Sequence, residues 1–234
     1  NIDAKYGFLE LSLKNFDKKI KAIKKQKDVY GFNITIPFKQ KIIKHSELLD
    51  SHSKKIKAVN CLTLKPRNKG SNTDWEGYFN SLPKNKNLKE DNIILIGYGG
   101  AALAIHYLFK KKGCKKINIF NKTKRKIRYE KGTKYTISLN QIKKYLPSAT
   151  LIINTTPVNP LNKNEINLIQ KKAIISDIVY SPKQTNFLKK FPNNKKIYGI
   201  SMLIEQAIIS FELWFGFKPK IDEKLTKILD KKTR

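Results

Sequence analysis

The sequence predicts an α/β protein whose main part is a parallel sheet covered by helices on both faces. The run Asn92–Ile96, apolar except for its first residue, is followed at once by a glycine-rich turn and an apolar helix, which is typical of a buried parallel strand. From there strands and helices alternate along the chain, as in sheets whose crossovers are helical. The preceding segment Leu82–Asp91 is rich in lysine and asparagine and contains Pro83. It predicts a linker, with one domain over residues 1–84 and a second over residues 85–211.

In the first domain the elements follow from hydrophobic periodicity. The pattern predicts a strand over Ala4–Leu11 and then a surface helix over Leu13–Lys25, where apolar residues recur at helical spacing between lysines. The next strand, Val29–Ile36, ends at Pro37. Because proline suits the first turn of a helix, a helix is predicted to begin there. Lys39 then lies at a strand-to-helix junction, where α/β folds place functional groups.

A short strand over Ala58–Leu64 and a helix that begins near Trp75 complete this domain. The polar run Asn72–Asp74 lies directly before that helix. Small polar residues in this place can bind ligand hydroxyls, or they can cap the helix. A lysine such as Lys39 serves as an acid–base group only where its neighbours tune its pKa, so neither segment assigns a site by itself.

The glycine-rich turn predicts a nucleotide site. Gly97, Gly99 and Ala102 form a Gly-x-Gly-x-x-Ala pattern between a strand and a helix, the context in which this pattern binds dinucleotides. Gly97 permits the tight turn, Gly99 lets the backbone approach a pyrophosphate, and Ala102 keeps the helix close to the strand. The phosphates would lie on the N–H groups at the helix N-terminus. A merely tight structural turn is the alternative interpretation.

The remaining elements are predicted from shorter patterns. Strands are expected at Lys116–Phe120, near Tyr135, at Leu151–Asn154 and at Ala173–Val179, and helices from about Lys122, at Leu139–Tyr145, at Lys163–Gln170, from Met202 to Trp214 and at Ile221–Leu229.

The residues after the strand that ends at Phe120 indicate the cofactor. An enzyme that uses NAD carries Asp or Glu there to bind the ribose hydroxyls. This chain has Asn-Lys-Thr-Lys-Arg-Lys at positions 121–126. Four basic groups and no acid favour the 2′-phosphate of NADP.

Composition limits the classes of partner. The formal net charge is +31 from 49 basic residues, of which only four are arginine, and the lysines are spread along every segment. A nucleic-acid-binding protein more often clusters arginine with aromatic residues, so we expect a solvated lysine surface that attracts anionic substrates and no specific nucleic-acid partner. No apolar run approaches the roughly 20 residues of a membrane helix. Cys61 and Cys114 are isolated, which favours a cytoplasmic location without a disulfide or a metal site.

Six segments of the chain, taken together and in order, resemble the shikimate dehydrogenase family. They are Asn33-x-Thr35-x-Pro37-x-Lys39, Ala58-Val59-Asn60, Asn72-Thr73-Asp74-x-x-Gly77, the glycine-rich turn, Asp177-x-x-Tyr180-x-Pro182 and Gly199-x-x-Met202-Leu-x-x-Gln206. The resemblance implies a substrate domain followed by a Rossmann-like NADP-binding domain, with C-terminal helices (212–234) that return to the first domain. It also implies NADP-dependent interconversion of 3-dehydroshikimate and shikimate in chorismate and aromatic amino acid biosynthesis, by a monomer or a homodimer.

The same resemblance implies roles for individual residues. Lys39 would exchange a proton with the substrate oxygen, and Asp74 would pair with Lys39 and bind the neighbouring hydroxyl. Other substrate-binding residues would be Thr35, Asn60, Gln206 and Tyr180, the last of these near the nicotinamide. The cofactor-binding residues would be Gly97, Gly99, Gly100, Ala101, Ala102, Asn121, Lys122, Thr123, Arg125, Lys126, Thr155, Ile178, Gly199 and Met202.

Two other functions stay open at this stage. One is a quinate/shikimate or related polyol-acid dehydrogenase, which a substrate panel would distinguish. The other is a lysine-rich nucleic-acid-binding protein on a nucleotide-binding fold, which would show a steep salt dependence of DNA binding. The family opens with a strand and a Ser-x-Ser segment that binds the substrate carboxylate. Because Asn1 falls after that point, the resemblance implies that these 234 residues lack it.

Overall fold

The structure is a computed structural model that describes residues 2–84, 86–128 and 133–232. Within these ranges the helices are α1 (Phe16–Lys24), α2 (Ser51–Ile56), α3 (Asp74–Ser81), α4 (Gly100–Lys111), α5 (Lys163–Ile166), α6 (Gly199–Phe215) and α7 (Glu223–Lys232). The strands are β1 (Gly31–Asn33), β2 (Leu48–Leu49), β3 (Cys61–Thr63), β4 (Lys69–Ser71), β5 (Asn92–Ile96), β6 (Lys116–Asn121), β7 (Lys126–Arg128), β8 (Thr133–Tyr135), β9 (Ile137–Ser138), β10 (Leu151–Asn154), β11 (Ile174–Asp177) and β12 (Lys196–Tyr198).

The larger sheet has six strands in the order β12-β11-β10-β5-β6-β9, and every neighbouring pair is parallel. Alternate residues of β5 point to opposite faces. Ile93 and Leu95 are buried in the cluster that contains α4. Ile94 and Ile96 are buried in the cluster on the other face. The α/β class with a parallel sheet, which the sequence predicted, is therefore confirmed.

The order of the strands creates a crevice at the centre of this sheet. From β5 the chain proceeds to β6 and β9 on one side, and it then returns to β10 on the other side of β5. Open α/β sheets bind ligands beyond the carboxyl ends of their strands at such a reversal. The turn after β5 and the loop after β10 flank this point.

The smaller sheet has the order β1-β3-β4-β2. Its first three strands are antiparallel, and β2 pairs in parallel with β4. The helix α1 covers it with Phe16 and Ile20, which pack in a cluster with Ile42 and Leu62. From the other end of the chain α6 reaches the same sheet, where the Trp214 indole N–H donates to the carbonyl of Leu62 at 3.2 Å. One helix thus contacts both halves of the molecule.

Three sequence predictions of secondary structure are wrong. Residues 2–12 contain no strand, since no described strand pairs with them. Residues 36–40 form a turn, followed by a 3₁₀ helix at Lys41–His45. The carbonyl of Lys39 accepts from Val59 N–H at 2.8 Å, a contact to a distant segment and not a bond within a helix. The helix predicted from Lys122 is instead the antiparallel hairpin of β7 and β8, in which Ile127 is buried.

Other predicted helices are shorter than expected or differ in type. The segment after Ser138 is a 3₁₀ helix, Leu139–Lys144. The helix expected over Lys163–Gln170 is reduced to α5, whose start is fixed by a capping box between Asn162 and Glu165. Nine elements lie within a few residues of their predicted positions: β3, β5, β6, β10, β11, α1, α3, α6 and α7.

The segment between the two sheets has no regular structure over residues 86–91, and Lys86 forms an ion pair of 2.8 Å with Asp91. The expected domain boundary falls at residue 85, which lies outside the described residues, as do residues 233 and 234 of the expected C-terminal segment. Within the described ranges no helix is both long and apolar enough to cross a bilayer. The same ranges contain no cluster of three or more metal-ligating side chains, and both cysteines are buried and unpaired with one another.

Candidate active site

The centre of the site is an ion pair between Lys39 and Asp74. The Lys39 ammonium donates to Asp74 Oδ2 at 2.7 Å, and the two side chains are only 13% and 5% exposed. A charge is buried at low cost only when it is paired. The second carboxylate oxygen, Oδ1, accepts from Asn60 Nδ2 at 3.0 Å, and the Asp74 backbone N–H donates to Asn72 Oδ1 at 3.1 Å. The carboxylate is thus held in one orientation.

Asn60 and Gln206 continue this cluster. The Asn60 side-chain amide donates to Thr73 Oγ1 at 2.9 Å and approaches Gln206 Oε1 at 3.2 Å, while its oxygen accepts from Thr73 N–H at 2.7 Å. Gln206 donates one N–H of its side chain to the carbonyl of Leu203 at 2.9 Å. Its other N–H has no acceptor among the described residues, and it remains available to a ligand hydroxyl.

The backbone around the smaller sheet positions these side chains. Lys39 lies in the turn after β1, and its carbonyl is bonded to Val59 N–H. Asn60 directly precedes β3, where its carbonyl accepts from Ile34 N–H at 2.8 Å. Asp74 is the first residue of α3. The turn after β1, the residue before β3 and the start of α3 lie at the same end of the sheet. They therefore bring together side chains that are distant in sequence.

The capping interpretation of Asn72–Asp74 is only partly correct. Thr73 is the N-cap of α3, but its side chain makes no capping hydrogen bond. Its hydroxyl instead lies 3.3 Å from Gln206 Oε1 and 3.2 Å from the Ser210 hydroxyl, both on α6. The polar run therefore joins α3 to α6 as well as starting α3.

The glycine-rich turn between β5 and α4 (the nucleotide turn, Gly97–Gly100) is tight at Gly97 and open at Gly99. Gly97 has φ +99°, a conformation that side chains other than glycine rarely adopt, and it is enclosed by Thr155. A Cβ at Gly99 would meet no atom within 4 Å, so the turn presents open space in front of the N-terminus of α4. Ala101 and Ala102 are buried beneath it. This arrangement leaves room for phosphate groups next to backbone N–H groups.

Gly100 brings the nucleotide turn against the ion pair. A Cβ at this position would lie 2.9 Å from Lys39 Cβ and 3.0 Å from Lys39 Cδ. The stem of Lys39 therefore runs across the first residue of α4 on its way to Asp74. A group that binds at the nucleotide turn would lie next to the lysine.

The other predicted cofactor residues lie near the carboxyl ends of the strands of the larger sheet or in its core. Thr155 follows β10, and its hydroxyl donates to the carbonyl of Ile96 at 2.7 Å. Ile178 follows β11, and its carbonyl lies close to Gly199. A Cβ built on Gly199 would lie 2.4 Å from the carbonyl oxygen of Ile178. Met202 is buried in the core cluster that contains α4. On the opposite side of the turn, the residues Lys122, Thr123, Lys124, Arg125 and Lys126 are exposed after β6, and Asn121 donates to the carbonyl of Thr123 at 2.8 Å.

Two predicted substrate residues are not joined to the cluster. Thr35 is exposed in the loop before Lys39, and Tyr180 is 46% exposed in the loop after β11. No hydrogen bond between either side chain and Lys39, Asn60, Asp74 or Gln206 occurs within the described residues. The Asp177 carboxyl in the same motif is structural: burial raises its pKa, against hydrogen bonds from Thr185 and the Val179 N–H.

Sequence reasoning missed Ser210 and the scaffold role of Asn33. Ser210 is buried four residues after Gln206 on α6, a spacing that places both on one face. That spacing is the signal that could have identified it. Asn33 donates to Ser210 Oγ at 3.0 Å and to the carbonyl of Asn60 at 3.2 Å. Nearby, burial raises the pKa of the Cys61 thiol to about 12, so the thiol is neutral at physiological pH.

The chain is similar to known proteins over most of its length. Three family models match the chain in succession: "Shikimate dehydrogenase substrate binding domain" over residues 1–62, "Shikimate / quinate 5-dehydrogenase" over 81–183 and "Shikimate 5'-dehydrogenase C-terminal domain" over 199–223. A curated relative, the shikimate dehydrogenase (NADP(+)) of Nitrosopumilus maritimus strain SCM1, is 32% identical over 232 residues. These residues cover 93% of this chain and 85% of the relative.

Solved structures show the same similarity. Shikimate dehydrogenase 1 of Peptoclostridium difficile superposes with a TM-score of 0.81 at 27% identity, covering 95% of this chain and 84% of that one. A shikimate dehydrogenase solved in complex with NADP+ gives a TM-score of 0.79 at 28% identity, covering 97% of this chain and 84% of that one.

Proposed function

Because the chain belongs to the shikimate dehydrogenase family, we propose that it catalyses the reversible, NADP-dependent reduction of 3-dehydroshikimate to shikimate, a step in the biosynthesis of chorismate and aromatic amino acids. The observation that carries this proposal is the buried Lys39–Asp74 pair, whose atoms lie 2.7 Å apart beside the nucleotide turn at Gly100. When a carbonyl carbon gains a hydride, its oxygen needs a proton. A protonated lysine next to the hydride-transfer site can donate it.

The residues present fit NADP. The open space at Gly99 and the left-handed conformation of Gly97 suit a pyrophosphate at the N-terminus of α4. The exposed basic groups Lys122, Arg125 and Lys126 follow β6, where the 2′-phosphate of the adenosine ribose would lie. When bound, NADPH supplies the hydride for the carbonyl carbon.

The chain supplies the proton. The Lys39 ammonium donates one N–H to Asp74, and its two other N–H groups have no acceptor among the described residues. As the carbonyl carbon gains the hydride, its oxygen takes a proton from Lys39. The neutral amine then regains a proton from solvent, and in the oxidative direction it accepts the proton of the substrate hydroxyl. Asp74 accepts a hydrogen bond from the Lys39 ammonium and holds it in place.

The remaining polar groups orient the substrate. Asn60 and Gln206 lie next to the ion pair and can hold ring hydroxyls, while Thr35 and Tyr180 are exposed in the loops that border the cleft. Fixing a polyol by several hydrogen bonds turns one carbon toward the nicotinamide, and hydride transfer depends on such near-attack geometry. In this proposal residues 1–84 and 212–234 form the substrate domain, and residues 85–211 form the NADP-binding domain.

The resemblance also implies a monomer or a homodimer in the cytoplasm. Light scattering would test the oligomeric state, and cell fractionation would test the location.

The proposal is tested by substitution of the ion pair in the full-length protein. We expect Lys39→Ala to lower kcat for shikimate oxidation by about 10² to 10⁴, the range for one acid–base group, with little change in the Kd for NADP. Asp74→Asn should have a similar effect. The double variant should be little worse than either single one, because residues that act as a unit are not additive.

Lys41→Ala is the matched control, since Lys41 is an exposed lysine two residues away. Lys39→Ala leaves the buried Asp74 carboxylate unpaired and is expected to destabilise the protein. Thermal unfolding and NADP titration therefore accompany each assay. A Lys39→Ala protein that keeps most of the wild-type turnover would overturn the assignment of Lys39. Failure of the wild-type protein to oxidise shikimate, with quinate assayed alongside it, would overturn the proposed activity.

A further inference from the structure

Gly100 is a glycine that neither its backbone conformation nor the nucleotide-binding pattern requires. It is the first residue of α4. Among the described glycines, a positive φ occurs at Gly97, Gly113 and Gly216, so alanine could adopt the conformation of Gly100, and alanine is the better helix former. In the Gly-x-Gly-x-x-Ala pattern, position 100 is one of the unspecified positions. The absence of a side chain at Gly100 therefore needs another reason.

The space beside Gly100 is occupied by the side chain of Lys39. The three atoms nearest to a Cβ at Gly100 all belong to that side chain: Cβ at 2.9 Å, Cδ at 3.0 Å and Cγ at 3.4 Å. Non-bonded carbon atoms prefer a separation of about 3.5–4.0 Å. A Cβ at the neighbouring Gly99 would meet no atom within 4 Å. The two adjacent glycines thus face different parts of the site, Gly99 the open space and Gly100 the lysine.

The stem of Lys39 has little freedom to move aside, because it is held at both ends. At its base, the Lys39 carbonyl accepts from Val59 N–H at 2.8 Å. At its tip, the ammonium donates to Asp74 Oδ2 at 2.7 Å. The contact at Lys39 Cβ is not relieved by a change of rotamer, since Cβ is attached directly to the backbone. A methyl group at Gly100 therefore displaces the lysine as a whole and draws its ammonium away from Asp74.

The helix α4 is held more firmly than the lysine. Ala102 and Ile105 are fully buried, in the same core cluster as Trp75 of α3. Because Asp74 is the first residue of α3, the helix and the carboxylate belong to one packed unit. Protein interiors are close-packed and transmit strain. We therefore expect the turn that carries Lys39, and not α4, to yield to an added methyl group.

We propose that Gly100 is a positioning residue for the acid–base group: its missing side chain leaves the passage through which Lys39 reaches Asp74 across the start of α4. This inference rests on the proposed function, because it assigns Lys39 to the same reaction. It concerns only the absence of a side chain, so the backbone of Gly100 keeps the cofactor-binding role that the resemblance implies. The effect on the reaction is transmitted through Lys39.

The first test is Gly100→Ala in the full-length protein. We expect kcat for shikimate oxidation at saturating NADP to fall by about tenfold or more, because the acid–base group is displaced. The Kd for NADP in a fluorescence titration should change by less than about threefold. Turnover is calculated per NADP-binding site, so that a loss of folded protein does not count as a loss of kcat.

Two matched variants accompany this test. Gly99→Ala adds the same methyl group one residue earlier, where it faces the open space, and it should weaken NADP by about tenfold or more. Gly7→Ala is the control for adding a methyl group to a glycine elsewhere, since its Cβ would meet nothing within 4 Å. A loss of kcat at Gly100 and a loss of NADP affinity at Gly99 would separate the roles of the two glycines.

The second test asks whether the effect passes through Lys39. In a Lys39→Ala background no ammonium is left to displace, so Gly100→Ala should lower kcat by less than about twofold further. The double variant Lys39→Gly/Gly100→Ala removes the Cβ that the new methyl group would meet, and it should unfold at the same temperature as Lys39→Gly alone. It is the deciding variant if Gly100→Ala does not fold by itself. A double variant that is much less stable than Lys39→Gly would overturn the inference, because the methyl group would then meet something other than Lys39.

The outcomes separate the two proposals. A wild-type protein that oxidises shikimate, with a Gly100→Ala variant of unchanged kcat, would overturn this inference alone, whether or not that variant binds NADP more weakly. An undiminished effect of Gly100→Ala in the Lys39→Ala background would also overturn it, since the effect would not depend on Lys39. A wild-type protein that binds NADP but has no activity on shikimate would overturn the proposed function, and this inference with it.

Discussion

The contact between α3 and α6 at Gly77 offers a sensitive perturbation of the site. A Cβ at Gly77 would lie 2.7 Å from both Cβ and N of Gln206 and 2.9 Å from its Cα. Non-bonded carbon atoms prefer a separation of about 3.5–4.0 Å. The substitution Gly77→Ala therefore requires α3 and α6 to separate by roughly 0.8 Å at this point, since two of the three atoms belong to the backbone.

The magnitude is larger for catalysis than for stability. Overpacking of this kind costs about 1–3 kcal/mol, and the better helix propensity of alanine offsets about 1 kcal/mol, which leaves a net loss of about 0–2 kcal/mol. The bonds from Asn60 and Thr73 to Gln206 Oε1 are already 3.2 and 3.3 Å long, so the displacement breaks both. If the orientation of the Gln206 amide is worth as much to substrate binding as the two bonds that hold it, about 0.5–1.5 kcal/mol each, kcat/KM for shikimate falls by roughly 5- to 150-fold.

The assay is steady-state oxidation of shikimate by the full-length protein at saturating NADP, together with thermal unfolding. Gly7→Ala is the control, because a Cβ there would meet nothing within 4 Å. The expected result is a large decrease in kcat/KM for Gly77→Ala, a melting temperature lowered by only a few degrees, and wild-type behaviour for Gly7→Ala. If Gly77→Ala keeps kcat/KM within twofold of wild type, the close approach of α3 to Gln206 does not position the substrate.

Three further predictions concern the nucleotide turn, the cofactor and acid stability. Gly99→Ala should leave the melting temperature of the ligand-free protein unchanged, since the added methyl meets no atom within 4 Å. It should lower the affinity for NADP at least tenfold in a fluorescence titration. Unchanged affinity would contradict the phosphate site. NADPH should bind at least tenfold tighter than NADH, about 1.4 kcal/mol, because Lys122, Arg125 and Lys126 are exposed after β6 without an acid among them, and equal affinities would refute this. Burial lowers the pKa of His106 from 6.5 to about 4, so the folded state binds fewer protons than the unfolded state and stability is lost as the pH falls from 6.5 toward 4. Over that window the loss is roughly 3 kcal/mol; His106→Leu should flatten the dependence in denaturant titrations at several pH values, and an unaltered slope would count against the assignment.

The sequence alone was sufficient where the determining interactions are local. The unit from β5 to α4 could be predicted because a continuous apolar strand, a turn that needs glycine and an apolar helix follow one another within twenty residues. The parallel sheet followed from the alternation of such units. The candidate residues Lys39, Asn60, Asp74 and Gln206 were reached only through the resemblance of short motifs, because one lysine among so many has no local signature.

Where partners are distant in the chain, the sequence misled. Residues 4–11 have a strand-like pattern, but a strand forms only where another strand pairs with it, and none of the described strands does. The lysine-rich stretch after Asn121 was predicted to be a helix. It forms the β7–β8 hairpin instead, in which burial of Ile127 outweighs a weak local preference.

The site itself was decided by tertiary structure. Lys39 and Asp74 are 35 positions apart, and Asn60 and Gln206 are 146 apart, so no pattern within either segment shows that they are bonded. The contacts of Ser210 and Gly77 with their partners exist because α6 crosses from one sheet to the other and approaches α3 closely enough to exclude a methyl group. Hydrogen bonds weaken steeply with small changes in distance and angle. The candidate residues could therefore be named from the sequence. The hydrogen bonds that join them come only from the packing of elements that are distant in the chain.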